Sequence, residues 1–138
     1  YIDYAHTPKA LESVCECLYK KKKNKLIIVF GAGGERDKGK RALMGEVADK
    51  YCEKIYITSD NPRNEDPQQI ANMIAEGIEE SDKICMELDR SIAIKNAINE
   101  LSEGDILLIA GKGHEKKQII GDKCSDFSDY EEVKKCIF

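Results

Sequence analysis

The stretch Ile55-Tyr56-Ile57-Thr58-Ser59-Asp60-Asn61-Pro62-Arg63 runs from a β-branched strand straight into an acid, an amide and a guanidinium. A helix start follows at once at Glu65-Asp66-Pro67, with Asp66 placed to cap it and Pro67 in its first turn. Strand, polar loop and helix in that order form the unit of an open α/β sheet. Such sheets build ligand sites from polar groups at the carboxyl ends of their strands. Arg63 can form a two-pronged contact with a carboxylate, and Asp60 or Asn61 can orient it. Asp-Asn-Pro is equally ordinary turn material, and arginines are usually solvated. These residues alone leave both readings open.

The same unit recurs on either side. Upstream, Thr7 and Pro8 open a helix with Leu11, Val14 and Leu18 on one face. Leu26 to Phe30 reads as a buried strand, Gly31 to Gly39 as a glycine-rich loop, and the next helix carries Leu43, Val47 and Tyr51 on one face. Downstream, the helix after Pro67 has Ile70, Met73, Ile74, Gly77 and Ile78 at helical spacing. Ile84 to Leu88 is a weaker strand, and Asp89 caps a helix carrying Ile94, Ala97, Ile98 and Leu101 that stops before Gly104. Ile106 to Ala110 is another buried strand, Lys117 to Ile120 with the segment near Cys124 a hairpin or edge strand, and Ser128 with Glu131 a capping box for a last helix. The alternation predicts a Rossmann-like three-layer α/β domain. Its sheet is expected to be six-stranded and mostly parallel, with helices on both faces and no boundary inside the chain.

Composition narrows the class. The chain has 138 residues, of which 41% are hydrophobic and 35% charged, which suits one soluble domain with a real core. The apolar run Leu26 to Phe30 is far too short to span a membrane, and no signal peptide is visible. A first residue of Tyr rather than Met is expected of a piece of a longer protein, with processing or missing residues as the alternatives. The net charge of −4 argues against nucleic acid as a partner, and three Phe without any Trp give no platform for stacking bases. The run Lys20 to Lys25 reads as a solvated helix end, where cations suit the dipole. Six cysteines without a CxxC pattern read as reduced thiols of a cytoplasmic protein, not as a zinc site or a disulfide framework.

Three loops hold candidate chemistry. Gly31-Ala32-Gly33-Gly34 sits where a dinucleotide fold has its phosphate turn, and Asp60 where it has its ribose-binding acid. However, Glu35 and Asp37 would lie against a pyrophosphate, and the third glycine is misplaced. Gly34 to Lys40 matches seven positions of a P-loop. Arg41 then stands where a magnesium-binding hydroxyl belongs, so the P-loop reading is rejected. Arg36 remains an anion clamp, and the alternative for its loop is a charged turn. In Gly111-Lys112-Gly113-His114-Glu115, the glycines let backbone approach a ligand and Glu115 can pair an ammonium. His114 could act as a base, but a histidine without a visible partner is more often structural or solvent-facing. Two guanidiniums and a carboxylate converging on one sheet edge would suit a zwitterionic amino acid. No catalytic nucleophile–base pair and no metal cluster is visible, so the chain reads as a binding half rather than a complete catalyst.

Taken together, four stretches carry a family resemblance: Asp3-Tyr4-Ala5-His6-Thr7-Pro8, Phe30 to Arg41, Asp60-Asn61-Pro62-Arg63, and Ala110 to Glu115. In this order they resemble the C-terminal domain of the Mur ligases, over essentially the whole of 1–138. Within that family they are most similar to the ligases that add meso-diaminopimelate to UDP-N-acetylmuramoyl-L-alanyl-D-glutamate in bacterial peptidoglycan synthesis. The resemblance implies a cytoplasmic, ATP-dependent amide ligase. The D-glutamate side-chain carboxylate is phosphorylated and the amine attacks the acyl-phosphate. It further implies that Arg36, Asp60, Asn61, Pro62, Arg63, Gly111 and Glu115 hold the amino acid. Asp3 then lies on the nucleotide side, near the ribose, with His6 beside it.

ATP and Mg²⁺ would be bound mainly by a central ATPase domain, and the UDP-sugar by an N-terminal domain. Neither lies in this sequence, so the isolated chain is expected not to catalyse. Lysine-adding relatives carry another residue where Arg63 stands. Lysine lacks the distal carboxylate, and a missing built-in partner can discriminate by roughly 10⁴–10⁵. Ala32 replaces a cysteine or other small residue common in the family, and Ala42 a proline; neither touches an implied ligand role. The alternatives are a non-catalytic Rossmann-like binding module for a nucleotide or small acid, and a related ligase with another substrate such as lysine or a folylpolyglutamate.

Overall fold

Leu26–Phe30 is buried at every position, as a strand must be when both faces of its sheet are covered. In the computed structural model, which describes all of residues 1–138, this strand is the centre of the molecule. The chain runs through β1 (Ile2–Asp3), α1 (Pro8–Lys21), β2 (Leu26–Phe30), α2 (Gly39–Tyr51), β3 (Lys54–Ile57) and α3 (Pro67–Ala75). After a short 3₁₀ turn (Ser81–Lys83) come β4 (Ile84–Met86), α4 (Arg90–Asn99), β5 (Ile106–Ala110), β6 (Lys117–Ile120), β7 (Lys123–Asp126) and α5 (Asp129–Ile137). The main sheet has the order β1-β5-β2-β3-β4, and every pairing in it is parallel.

The expected six strands are therefore five. β6 and β7 form a separate antiparallel hairpin, outside the main sheet and joined to the loop after β3 by a single bridge between Ile120 and Arg63. All their residues are partly or fully exposed, so neither strand has a face buried as a core strand's is. The fifth strand, β1, was not anticipated. Its two residues are too short to show a period, and it forms by pairing Ile2 with Ile109 and Asp3 with Ala110.

Strand alternation sends side chains to two cores. Leu26, Ile28, Phe30, Ile55, Ile57 and Leu108 pack under α1, α2 and α3, through residues such as Leu11, Cys15, Ala48, Ile70 and Ile74. Ile27, Val29, Tyr56, Leu107 and Ile109 pack under α4 through Ala93, Ile94 and Ala97, with Val133 of α5 against them. Each such fully buried aliphatic side chain contributes about 1.5–3 kcal/mol. The caps form as the sequence predicts: Thr7, Asp66, Asp89 and Ser128 accept hydrogen bonds from Ala10, Gln68, Ile92 and Glu131 nitrogens.

Three helix readings need correction. Leu43 is 47% exposed, and the buried face of α2 runs instead through Arg41, Met44, Gly45, Val47 and Ala48. A charged residue can join that stripe only because it is neutralised there. α3 ends at Ala75, before Gly77 and Ile78, and α4 ends at Asn99, before Leu101.

The topology also places the site. The chain leaves β2 for α2 on one face, but leaves β5 for α5 on the other. Adjacent strands whose connections part to opposite faces open a crevice at their carboxyl ends.

Candidate functional site

A cleft of about 430 Å³ lies at that crevice. The loops after β1, β2, β3 and β5 line it, and they bring Arg36, Asp60, Asn61, Arg63, Gly111, Glu115 and His6 together. Asp3 and Pro62 are not on its wall. The Asp3 side chain accepts a hydrogen bond from the Ala5 nitrogen at 2.8 Å, which turns the chain out of β1. Pro62 is buried, with its carbonyl packed against Gly34. A Cβ on Gly34 would lie 1.8 Å from that carbonyl oxygen, so glycine is what lets the β2 and β3 loops touch.

Arg63 is built into the wall under strain. Its φ of 54° is in the left-handed region, which costs a side-chain-bearing residue about 1–2 kcal/mol. The hairpin holds it there. The Arg63 nitrogen donates to the Ile119 carbonyl at 3.1 Å, and the Arg63 carbonyl accepts from Gly121 at 2.5 Å. Its guanidinium donates through Nη1 to the Gly34 carbonyl at 3.0 Å and the Asn61 carbonyl at 3.4 Å. Nη2 and Nε have no partner in the chain and remain free to grip an anion. Arg36 is freer still: its one side-chain bond is a 3.4 Å contact to the neighbouring Glu35 carbonyl.

Lys112 supports this wall from below. It is fully buried, and its Nζ lies 3.0 Å from Asn61 Oδ1, 3.4 Å from Glu115 Oε1 and 3.6 Å from Asp60 Oδ1. Asn61 Oδ1 also accepts from the Ile119 nitrogen at 3.0 Å. Both neighbours can only donate, which fixes the amide orientation. Nδ2 is therefore left without a partner in the chain, as a donor on the cleft wall. Burial pushes the Asp60 carboxyl above its ordinary range, and the nearby Arg90 and Lys112 charges pull against that rise. Gly111, at φ 107°, passes so close that a Cβ would sit 2.7 Å from Asp60 Oδ2.

Arg41 ties the two arginine loops together. Only 1% exposed, it holds Glu65 with two bonds of 2.9 Å and the Gly33 carbonyl with one of 3.0 Å. Glu65 also accepts from the Glu35 nitrogen at 2.6 Å. The Arg41 bonds, followed by the Glu35 amide, hold the Glu65 carboxyl down at about 2. The rejected P-loop is explained by this contact, because the residue at the metal position is spent on a carboxylate. At the opposite rim His6 Nδ1 lies 2.9 Å from the Tyr4 carbonyl. A carbonyl can only accept, so Nδ1 carries the proton in that bond and the other ring nitrogen is free.

Sequence reasoning missed the roles of Lys112 and Arg41 and the bracing by Gln118, whose amide donates to the Asp60 carbonyl at 3.0 Å. Lys112 stood inside a quoted motif, but nothing in Gly-Lys-Gly announces a buried cation. Arg41 left no trace either, because the apolar face that the sequence offers for its helix, Leu43, Val47 and Tyr51, excludes it.

The comparisons agree with this architecture. The family model described as the Mur ligase, glutamate ligase domain matches residues 1–113. A Rickettsia rickettsii protein named UDP-N-acetylmuramoyl-L-alanyl-D-glutamate–2,6-diaminopimelate ligase is 53% identical over 139 residues, covering 99% of this chain and 29% of that protein. An Aquifex aeolicus protein of the same name is 52% identical over 136 residues, covering 99% of this chain and 28% of its own length. A solved structure of a ligase of that name superposes with a TM-score of 0.93 at 44% identity, covering 99% of this chain and 28% of that one. The chain thus spans between a quarter and a third of the relatives it matches. It belongs to the Mur ligase, glutamate ligase domain family.

Proposed function

We propose that this chain is the amino-acid-binding C-terminal domain of an ATP-dependent ligase that joins meso-diaminopimelate to UDP-N-acetylmuramoyl-L-alanyl-D-glutamate in peptidoglycan synthesis. The observation that carries the proposal is the charge pattern of one cleft. The largely free guanidiniums of Arg36 and Arg63 share its wall with Glu115, Asp60 and the spare Nδ2 of Asn61. Diaminopimelate carries an ammonium and a carboxylate at each end. Arg63 and Asn61 receive the distal carboxylate, Glu115 the ammonium beside it, and Arg36 a second anionic group. Asp60 packs against Gly111 and faces the ammonium side. Pro62 acts through the shape of its loop.

The remaining parts lie in other domains of the ligase, an N-terminal UDP-binding domain and a central ATPase domain. The D-glutamate side-chain carboxylate is phosphorylated there, and the amine attacks the acyl-phosphate with loss of phosphate. The task of this domain is to present that amine and to close on the nucleotide. It does not itself form a triphosphate site: Glu35 and Asp37 are in the loop where phosphates would lie, and Arg41 is bound to Glu65. It offers the rim of one. His6 has a free ring nitrogen, and Asp3 has a second carboxylate oxygen beyond the one held by Ala5. These would face the ribose of ATP, with Mg²⁺ held mainly by the central domain. No helix of the chain is long and apolar enough to cross a membrane.

The test is amide formation by the ligase that contains this domain, with ATP, the UDP-sugar dipeptide and either meso-diaminopimelate or L-lysine. Strong preference for meso-diaminopimelate is expected. Equal use of lysine, or no use of either, refutes the assignment.

A further inference from the structure

Arg90 stands at the first position of α4, where a cation opposes the helix dipole, and it is 1% exposed. A buried guanidinium in an unfavourable helix position is costly unless specific partners hold it. It has four such bonds. Nε donates to Asp129 Oδ1 at 2.8 Å and Nη2 to Asp129 Oδ2 at 2.9 Å. Nη1 donates to the Ser59 carbonyl at 3.1 Å, and Nη2 also to the Ala110 carbonyl at 3.0 Å. Asp129 is itself fully buried at the start of α5, where a carboxylate suits the dipole.

The two carbonyls belong to the residues immediately before Asp60 and Gly111. β3 and β5 are not neighbours, because β2 lies between them, so no ladder bond ties one to the other. Arg90 bridges that gap at the point where the strands give way to the cleft loops. Those loops interlock just beyond it, with Gly111 packed on the Asp60 carboxylate. Neither Arg90 nor Asp129 lines the cleft.

We propose that the Arg90–Asp129 pair positions the amino-acid site, setting the separation of the Asp60–Arg63 and Gly111–Glu115 loops from behind. The inference rests on the reading of the cleft as a diaminopimelate site. It also gives α5, beyond the residues matched by the family model, a part in that site.

The experiment uses the ligase containing this domain, as wild type, Arg90→Lys, and the double variant Arg90→Met with Asp129→Leu. The double variant removes both buried charges together, which spares the fold, but offers no donor to either carbonyl. Arg90→Lys keeps the charge opposite Asp129 and loses the fork that reaches two strands at once. Thermal melts report folding, and KM is measured separately for meso-diaminopimelate and for ATP. The expected result is a folded protein whose KM for meso-diaminopimelate rises at least about tenfold, since a small misplacement is costly, while KM for ATP stays within about twofold. Folded variants with an unchanged KM for meso-diaminopimelate overturn the positioning role alone. Variants that all fail to fold make the pair a stability device and overturn it equally. A wild-type ligase that does not use meso-diaminopimelate overturns the reading of the cleft, and this proposal with it.

Discussion

Lys112 Nζ lies 3.0 Å from Asn61 Oδ1 with no exposure to solvent, so a buried cation fixes the orientation of a cleft amide. Lys112→Met removes the partner of Asp60 and one of the two donors to Asn61. Breaking a buried ion pair from one side costs about 3–5 kcal/mol. Urea denaturation of the chain at neutral pH should show a loss of that order. The loss should shrink on acidification, because the buried Asp60 carboxyl, already raised, then takes up a proton instead of standing unpaired. A constant difference across pH would mean that Asp60 is not the group left behind.

The Arg41–Glu65 contact makes a second pH prediction. The Glu65 carboxyl is held at about 2 in the folded chain, against an ordinary value of 4.5. A depressed carboxyl contributes stability that is present above its unfolded value and lost as pH falls through the folded one. Wild type should therefore exceed Glu65→Gln in stability at pH 7, and the gap should close between pH 4.5 and about 2. Chemical denaturation at a series of pH values reads this directly, and a gap that widens in acid would contradict it.

Gly34→Ala places a Cβ 1.8 Å from the Pro62 carbonyl oxygen, and backbone on both sides must give way. The expected cost is about 1–3 kcal/mol, together with a higher KM for meso-diaminopimelate as the Arg36 and Arg63 loops separate. Gly104→Ala, at φ 89° beside Lys23 and Asn24 and away from the cleft, should cost about 1–2 kcal/mol from backbone strain with KM unchanged. Equal effects on KM from the two changes would remove the link between the loop contact and binding.

In the ligase, Arg63→Ala should impair meso-diaminopimelate far more than lysine. A charge-assisted contact contributes about 1.5–3 kcal/mol, or on the order of 10- to 150-fold in kcat/KM. Glu115→Gln should weaken both amino acids with less change in their ratio, since both carry ammonium groups. Equal loss of both substrates on Arg63→Ala would make Arg63 a scaffold residue.

The isolated chain should show no steady ATP turnover. Measurable hydrolysis abolished by Lys40→Ala would mean that the loop before Arg41 binds phosphates after all.

The sequence by itself determined the parallel α/β class, the four helix caps and the loops that meet at the cleft. These follow from local physics: strand period, capping chemistry and glycine placement act within a few residues of one another. Tertiary structure decided what period and propensity do not encode. β1 exists only through its pairing with β5, and the hairpin lies apart from the main sheet, with neither strand buried on a face as a core strand is. Leu43 faces outward because Arg41, neutralised by Glu65 from 24 residues away, takes the buried stripe instead. Nothing local marks Lys112, Arg90 or Asp129 as buried; only the fold brings their partners within hydrogen-bond distance. A charge can be buried only where its partners converge, and those partners come from segments that the chain order keeps far apart.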